Sequence, residues 1–105
     1  MKYVVVYQAC NGEVNFCEFI TDNYNEAVGF IENAIFRRKK EINRNNQSLI
    51  HDGKKDEIDE VVDVNRYEDN MNGSYHLWIL RTRYKGEIEE ELHYLYSYEE
   101  EEDYK

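Results

Sequence analysis

Asn11-Gly12 stands between two runs of β-branched and aromatic residues, "KYVVVYQA" at 2–9 and "VNFCEFI" at 14–20. Asn and Gly both tolerate the positive φ of a tight type I′ turn, and flanked in this way they signal a β-hairpin. Nothing else in the chain restricts its fold as strongly, because the turn sets which strands pair and which side chains share a face. In that register Tyr3, Val5, Tyr7, Val14, Phe16 and Ile20 line one face, and Val4, Val6, Cys17 and Phe19 line the other. Both faces are largely apolar, which predicts a hairpin central in a sheet or covered on both sides.

The next segment, residues 21–44, changes period. Ala27, Val28, Ile31, Ala34, Ile35 and Ile42 recur at helical spacing and give one apolar stripe. Asp22 or Asn23 can cap its start, with Glu26 in the first turn. Arg37, Arg38, Lys39 and Lys40 then fall in the last turns, where cations suit the helix dipole. Residues 45–57 are polar and read as a mobile loop, with His51-Asp52-Gly53 as a turn.

Beyond the loop, "IDEVVDVNRY" reads as a strand, "EDNMNGS" as a turn and "YHLWILRTRY" as a second strand. Lys85-Gly86 can close another hairpin. Residues 87–98 read two ways. As a helix, Ile88, Leu92, Leu95 and Tyr96 form a stripe; as a strand, Leu92, Tyr94, Tyr96 and Tyr98 share a face. The strand also sets Glu90 opposite Arg81 and brings Glu87 or Glu89 near Arg83, pairs that stabilise a sheet mildly. The tyrosine run favours the strand. The order ββαβββ predicts an α+β fold, a single domain over residues 1–98 with an antiparallel sheet of about five strands and one amphipathic helix packed on it. Residues 99–105 form an acidic C-terminal tail.

A chain of 105 residues with 41% hydrophobic and 34% charged residues suits a globular domain with its own core. Its short apolar start and lack of any membrane-length stretch predict a cytoplasmic protein. Cys10 and Cys17 lie about four rungs apart in the hairpin register, roughly 13 Å, too far for a disulfide. They read as reduced thiols used for packing.

Charge is spread unevenly within a net of −10. Residues 37–55 hold seven basic and two acidic residues, net +5; residues 56–69 hold seven acids and Arg66, net −6; residues 87–105 hold nine acids and Lys105, net −8. Such a field repels nucleic acid and anionic membrane and attracts basic proteins. In a strand, Glu87, Glu89 and Glu91 project from one face at roughly 6.6 Å intervals, a spacing comparable to phosphates along a nucleic-acid strand. Tyrosines beside them suit an interface, with rings as anchors and charge for steering.

Metal, phosphate and catalytic signatures are weak. The acids of 56–63 have no interleaved histidine or cysteine. "EDNMNGSYHLWI" echoes a calcium loop at Glu68, Asn70, Asn72 and Gly73, yet its twelfth place is Ile79 where a bidentate Glu is required. Ser48, Ser74 and Ser97 sit in no nucleophile elbow, and the five glycines form no phosphate loop. Neither His76 nor His93 has an evident nucleophile beside it. No cofactor and no enzymatic activity are expected. Arg37 to Arg44 can bind the chain's own acids, or those of a second copy in a homodimer.

In size, acidity and lack of a catalytic signature the chain is similar to the small inhibitors that phages encode against bacterial defence systems, anti-CRISPR proteins among them, and to toxin-neutralising immunity proteins. The likeness includes no alignable motif and carries no residue roles. The expected function is a protein-binding inhibitor that presents an acidic, tyrosine-bearing surface to a basic partner, a nucleic-acid-binding enzyme whose groove it occupies as a nucleic-acid mimic. Glu87, Glu89, Glu90, Glu91, Tyr94, Tyr96, Tyr98, Glu99, Glu100, Glu101, Glu102 and Asp103 would carry the contact, with Asp56, Asp59 and Asp63 as a second patch. The alternatives are an interaction module with an apolar interface, and a small-molecule sensor or scavenger with Trp78 and tyrosines lining a pocket between helix and sheet.

Overall fold

A computed structural model describes residues 1–8, 15–69 and 75–99. β1 (Lys2–Gln8) and β2 (Asn15–Thr21) are followed by helix α1 (Tyr24–His51), a 3₁₀ turn (Lys55–Glu57), β3 (Asp59–Asp69), β4 (Tyr75–Tyr84) and β5 (Glu87–Tyr98). The strands form one antiparallel sheet in the order β2-β1-β5-β4-β3, and α1 packs on one face of it. This is the ββαβββ, α+β architecture that the residue pattern predicts. The Asn11-Gly12 turn and the Asn70–Ser74 turn lie outside the described residues.

Helix α1 starts at Asn23, whose side chain accepts from the Glu26 N–H at 3.0 Å, satisfying one of the open donors of the first turn. Its apolar stripe, Ala27, Ile31 and Ile35, packs on Val5, Trp78 and Leu95 from three adjacent strands. Ile42 is buried one turn pair further on.

The helix does not stop at Arg44; it runs 28 residues to His51. Two devices sustain a stretch that carries the weak helix formers Asn43, Asn45, Asn46 and Ser48. Asn46 donates to the Asp59 carbonyl and accepts from the Asp59 N–H at 2.9 Å, tying the helix to the first residue of β3. The end is closed by a Schellman motif, with Gly53 N–H on Ile50 C=O and Lys54 N–H on Leu49 C=O, and Gly53 takes the positive φ of 78° this requires. The segment 45–57 is thus mostly helix and 3₁₀ turn, not a loop. Arg37 to Lys40 therefore sit in mid-helix, away from the helix terminus.

The first hairpin also differs from expectation. β2 is the edge strand rather than a central one. Val5 pairs with Phe19 and Val6 with Cys17, so Glu18 is an extra residue in a β-bulge. A one-residue insertion exchanges faces beyond it. Phe19 consequently packs against the helix, stacked on Phe30 at 4.6 Å, while Ile20 turns to the other side and is 55% exposed. Cys17 is an exposed free thiol and is not packed in the core. At the β4–β5 turn Lys85 and Gly86 have φ of 50° and 85°, the paired positive values of a type I′ hairpin.

Candidate functional site

Strand alternation divides the sheet into two unlike faces. On the helix side lie Tyr3, Val5 and Tyr7 of β1, Trp78 and Leu80 of β4, and Glu91, His93 and Leu95 of β5. Among the described residues no helix lies over the opposite face. Ile20, Val4, Tyr96 form one row across β2, β1 and β5; Val6, Tyr94, Leu77 and Tyr67 form the next across β1, β5, β4 and β3; Leu92 and Ile79 the third. Tyr94 and Tyr96 stack at 5.8 Å. Tyr67, Tyr96 and Tyr98 are 42–47% exposed.

One end of this open face is charged. Asp63, Arg81 and Glu90 lie side by side on β3, β4 and β5, and Arg81 Nε donates to Glu90 at 3.0 Å. The hydrogen bond to Glu90 and the charge of Asp63 raise the Arg81 pKa. The Glu90–Arg81 pairing matches the register read from sequence. Arg83, however, is opposite Ile88 and bonds Glu60 at 3.2 Å instead of Glu87 or Glu89, because those two glutamates point to the helix side.

The remaining acids separate by role. Glu87 and Glu89 are exposed at the start of β5, and Asp56 is exposed in the 3₁₀ turn. Asp59, opposite Tyr84, and Glu60, opposite Arg83, reach the same end of the sheet as Glu87, which is opposite Tyr84 on the other side. The two acidic blocks are therefore neighbours across β4. Glu91 does not join an outward row. Its side chain is only 12% exposed and accepts from Arg38 Nε at 3.0 Å and from the Tyr7 hydroxyl at 3.3 Å. Tyr94, Tyr96 and Tyr98 are on the open face, away from Glu87 and Glu89. Glu99 is exposed; Glu100, Glu101, Glu102 and Asp103 lie outside the described residues.

Helix α1 leaves a cleft on each flank. Toward β3 and β4 it is lined by Phe36, Lys39, Val64, Arg66 and Trp78, with the Arg66 guanidinium 4.6 Å from the Trp78 ring centre. Toward β2, β1 and β5 lies a polar cleft of about 410 Å³. There His93 Nδ1 is 3.3 Å from Glu18 Oε2, and Tyr7 stands beside the imidazole at 5.1 Å. Burial pushes the His93 pKa down, against the opposing pull of Glu18 and Glu91. Burial likewise works against the Arg38 charge, yet Glu91 and Glu41 more than offset it and raise its pKa. His93 is opposite Trp78, and His76 is two pairs further along, opposite Leu95.

Sequence reasoning missed this polar group because the β-bulge that turns Glu18 inward leaves no mark in the residue pattern. A helix-side spacing of Arg38 over Glu91 also needs the strand order, which the sequence does not state. Among the described residues no group of three or more His, Cys, Asp or Glu side chains is placed to hold a metal ion, and no helix is long and apolar enough to cross a membrane.

No protein-family model, no curated protein and no solved structure matches this chain.

Proposed function

We propose that this protein is a non-catalytic protein-binding module, an inhibitor by class, which docks a basic protein partner through the open face of its sheet. One observation carries the reading: a five-stranded sheet has a helix on one side and, among the described residues, uncovered rows of Ile, Leu, Val and Tyr on the other. The nine residues of these three rows cover on the order of 300 Å² of sheet at usual strand spacings. Exposed apolar patches beyond a few hundred Å² mark interaction sites, and about 800 Å² per partner makes a standard interface. Tyrosines are suited to this role, because each ring is rigid, apolar and carries a polar tip.

Charge selects the occupant. At −10 per chain two copies repel each other at long range, whereas a basic protein is steered in. The glutamates then act mainly by steering. Glu91 is engaged internally, Glu90 and Glu60 are paired with arginines, and Glu87, Glu89 and Glu99 are free to add to the field. The tyrosines of β5 supply the anchor. The nucleic-acid-mimic reading of the acids, with an anti-CRISPR or immunity-type role, is the finer version of this proposal.

The test uses immobilised intact protein, its Tyr96→Arg variant and a chain ending at Tyr98, with lysate at low and high salt. The expected result is one or more basic proteins bound by the intact protein, lost with Tyr96→Arg and weakened by the truncation only at low salt. A bound set that Tyr96→Arg leaves intact, or a partner with no basic character, overturns the proposal. Self-association of the purified protein at micromolar concentration would make a second copy the occupant and overturn it equally.

A further inference from the structure

We infer that the polar cleft between α1 and strands β2, β1 and β5 is a binding site for a small organic cation, a primary ammonium or guanidinium group. The inference does not rest on the open face, which is on the other side of the sheet.

Size and shape come first. The cleft measures about 410 Å³, within the range of sites that enclose small ligands. Its lining includes the Tyr7–His93 pair, with ring centres 5.1 Å apart. An aromatic face beside a carboxylate is the combination that recognises organic cations, since the ring quadrupole and the anion attract the same charge.

Charge points the same way. Glu91 and Glu41 share Arg38, so that guanidinium is fully engaged. Glu18 is only 18% exposed, and its partner in the cleft is the His93 imidazole, itself 6% exposed at the side chain. Glu18 meets a nitrogen of that ring at 3.3 Å, whereas Glu91 and Glu41 are paired with Arg38, and burial disfavours charge on the imidazole. A little-exposed carboxylate without a cation costs free energy that an incoming ammonium or guanidinium recovers.

The backbone was bent to build this arrangement. Regular alternation from Phe19 would set Glu18 on the open face and Cys17 over the helix side. The bulge reverses both, interrupting the ladder to aim one carboxylate into the cleft. Bulges commonly re-aim side chains beside binding sites.

Two sources can supply this chemistry, a free amine or guanidine and the side chain of a Lys or Arg in a peptide. The experiment therefore titrates the intact protein with putrescine, agmatine and N-acetyl-lysine amide, reading amide NMR shifts, with glutarate as the anionic control. Saturable shifts are expected at Tyr7, Glu18, Arg38 and His93. They should weaken by about tenfold or more in Glu18→Gln, the scale of losing one charge-assisted contact, and stay unchanged in Tyr96→Arg. Response to N-acetyl-lysine amide as well as to the free diamines assigns the site to side chains too; response to the diamines alone assigns it to metabolites. A Glu87→Gln/Glu89→Gln double variant should keep the saturable shifts, which excludes general attraction to an acidic protein. Non-saturating shifts centred on residues 87–89, shifts that survive Glu18→Gln in a folded variant, or binding of glutarate instead would overturn the assignment.

Discussion

At the scale of single residues, the helix side of the sheet carries a charged network of Glu18, Arg38, Glu91 and His93. Glu91 is the hub, since it accepts from Arg38 and from Tyr7 while almost enclosed. Glu91→Ala removes one of the two carboxylates on the Arg38 guanidinium and the acceptor of the Tyr7 hydroxyl bond, at a cost of about 1–2 kcal/mol, or roughly 5–10 °C in thermal midpoint for a chain this long. Glu87→Ala, on an exposed glutamate, should change the midpoint by little more than measurement error. Thermal unfolding of the two variants checks the contrast, and equal effects would mean that the Glu91 network contributes nothing. His93 gives a second prediction with a definite sign. Its folded pKa is depressed by burial below an unfolded value of about 6.5. The neutral form therefore contributes stability above that pH, and the contribution is lost as pH falls through the folded value. Lowering the pH from 7.5 to 5.5 should lower the midpoint more in the intact protein than in His93→Asn. Parallel pH profiles would contradict it. The groups that share its surroundings, Glu18, Glu91, Arg38 and Tyr7, are present in both proteins, so the difference isolates the imidazole.

At the scale of elements, pattern and propensity reveal what is local. The helix start at Asn23, the strands β3 to β5, the Lys85-Gly86 turn and the Glu90–Arg81 pairing all follow from spacing within a few residues. The tyrosines of the candidate surface were also visible, because period two puts Tyr94, Tyr96 and Tyr98 on one face whatever the strand's neighbours. What stayed hidden depends on partners distant in sequence. The last two turns of α1 carry asparagines that disfavour helix, and they persist because Asn46 is bonded to the backbone of Asp59, 13 residues on. The faces of Phe19 and Ile20 exchange through a bulge that only the pairing of β2 with β1 defines. That the hairpin's second apolar face is left open follows from α1 packing on the other face only, which no single segment encodes. The Asn46 tie is itself testable. Asn46→Ala should cost about 1–2 kcal/mol and speed amide exchange selectively over residues 45–58. Uniform acceleration, or none, would show that the helix end holds itself.

At the scale of the whole molecule, the proposed function divides binding between an acidic field and an apolar sheet face. In that proposal the exposed acids, acting over roughly a Debye length, about 8–10 Å at ordinary ionic strength, set how fast a basic partner arrives. Contact with the tyrosine and aliphatic rows then sets how long it stays. A chain ending at Tyr98 loses four glutamates and Asp103 and should associate several-fold more slowly at low salt, with a flatter salt dependence and an unchanged dissociation rate. Surface-plasmon traces with the captured partner would show it; a faster dissociation rate would instead place the tail inside the contact. The most direct measurement of the central claim is hydroxyl-radical footprinting of the protein with and without its bound partner. Protection of Ile20, Leu77, Tyr94 and Tyr96, with Phe36 on the helix still reactive, is the predicted pattern. Protection of Phe36 and the helix flank, with the open-face residues as reactive as in the free protein, would contradict it.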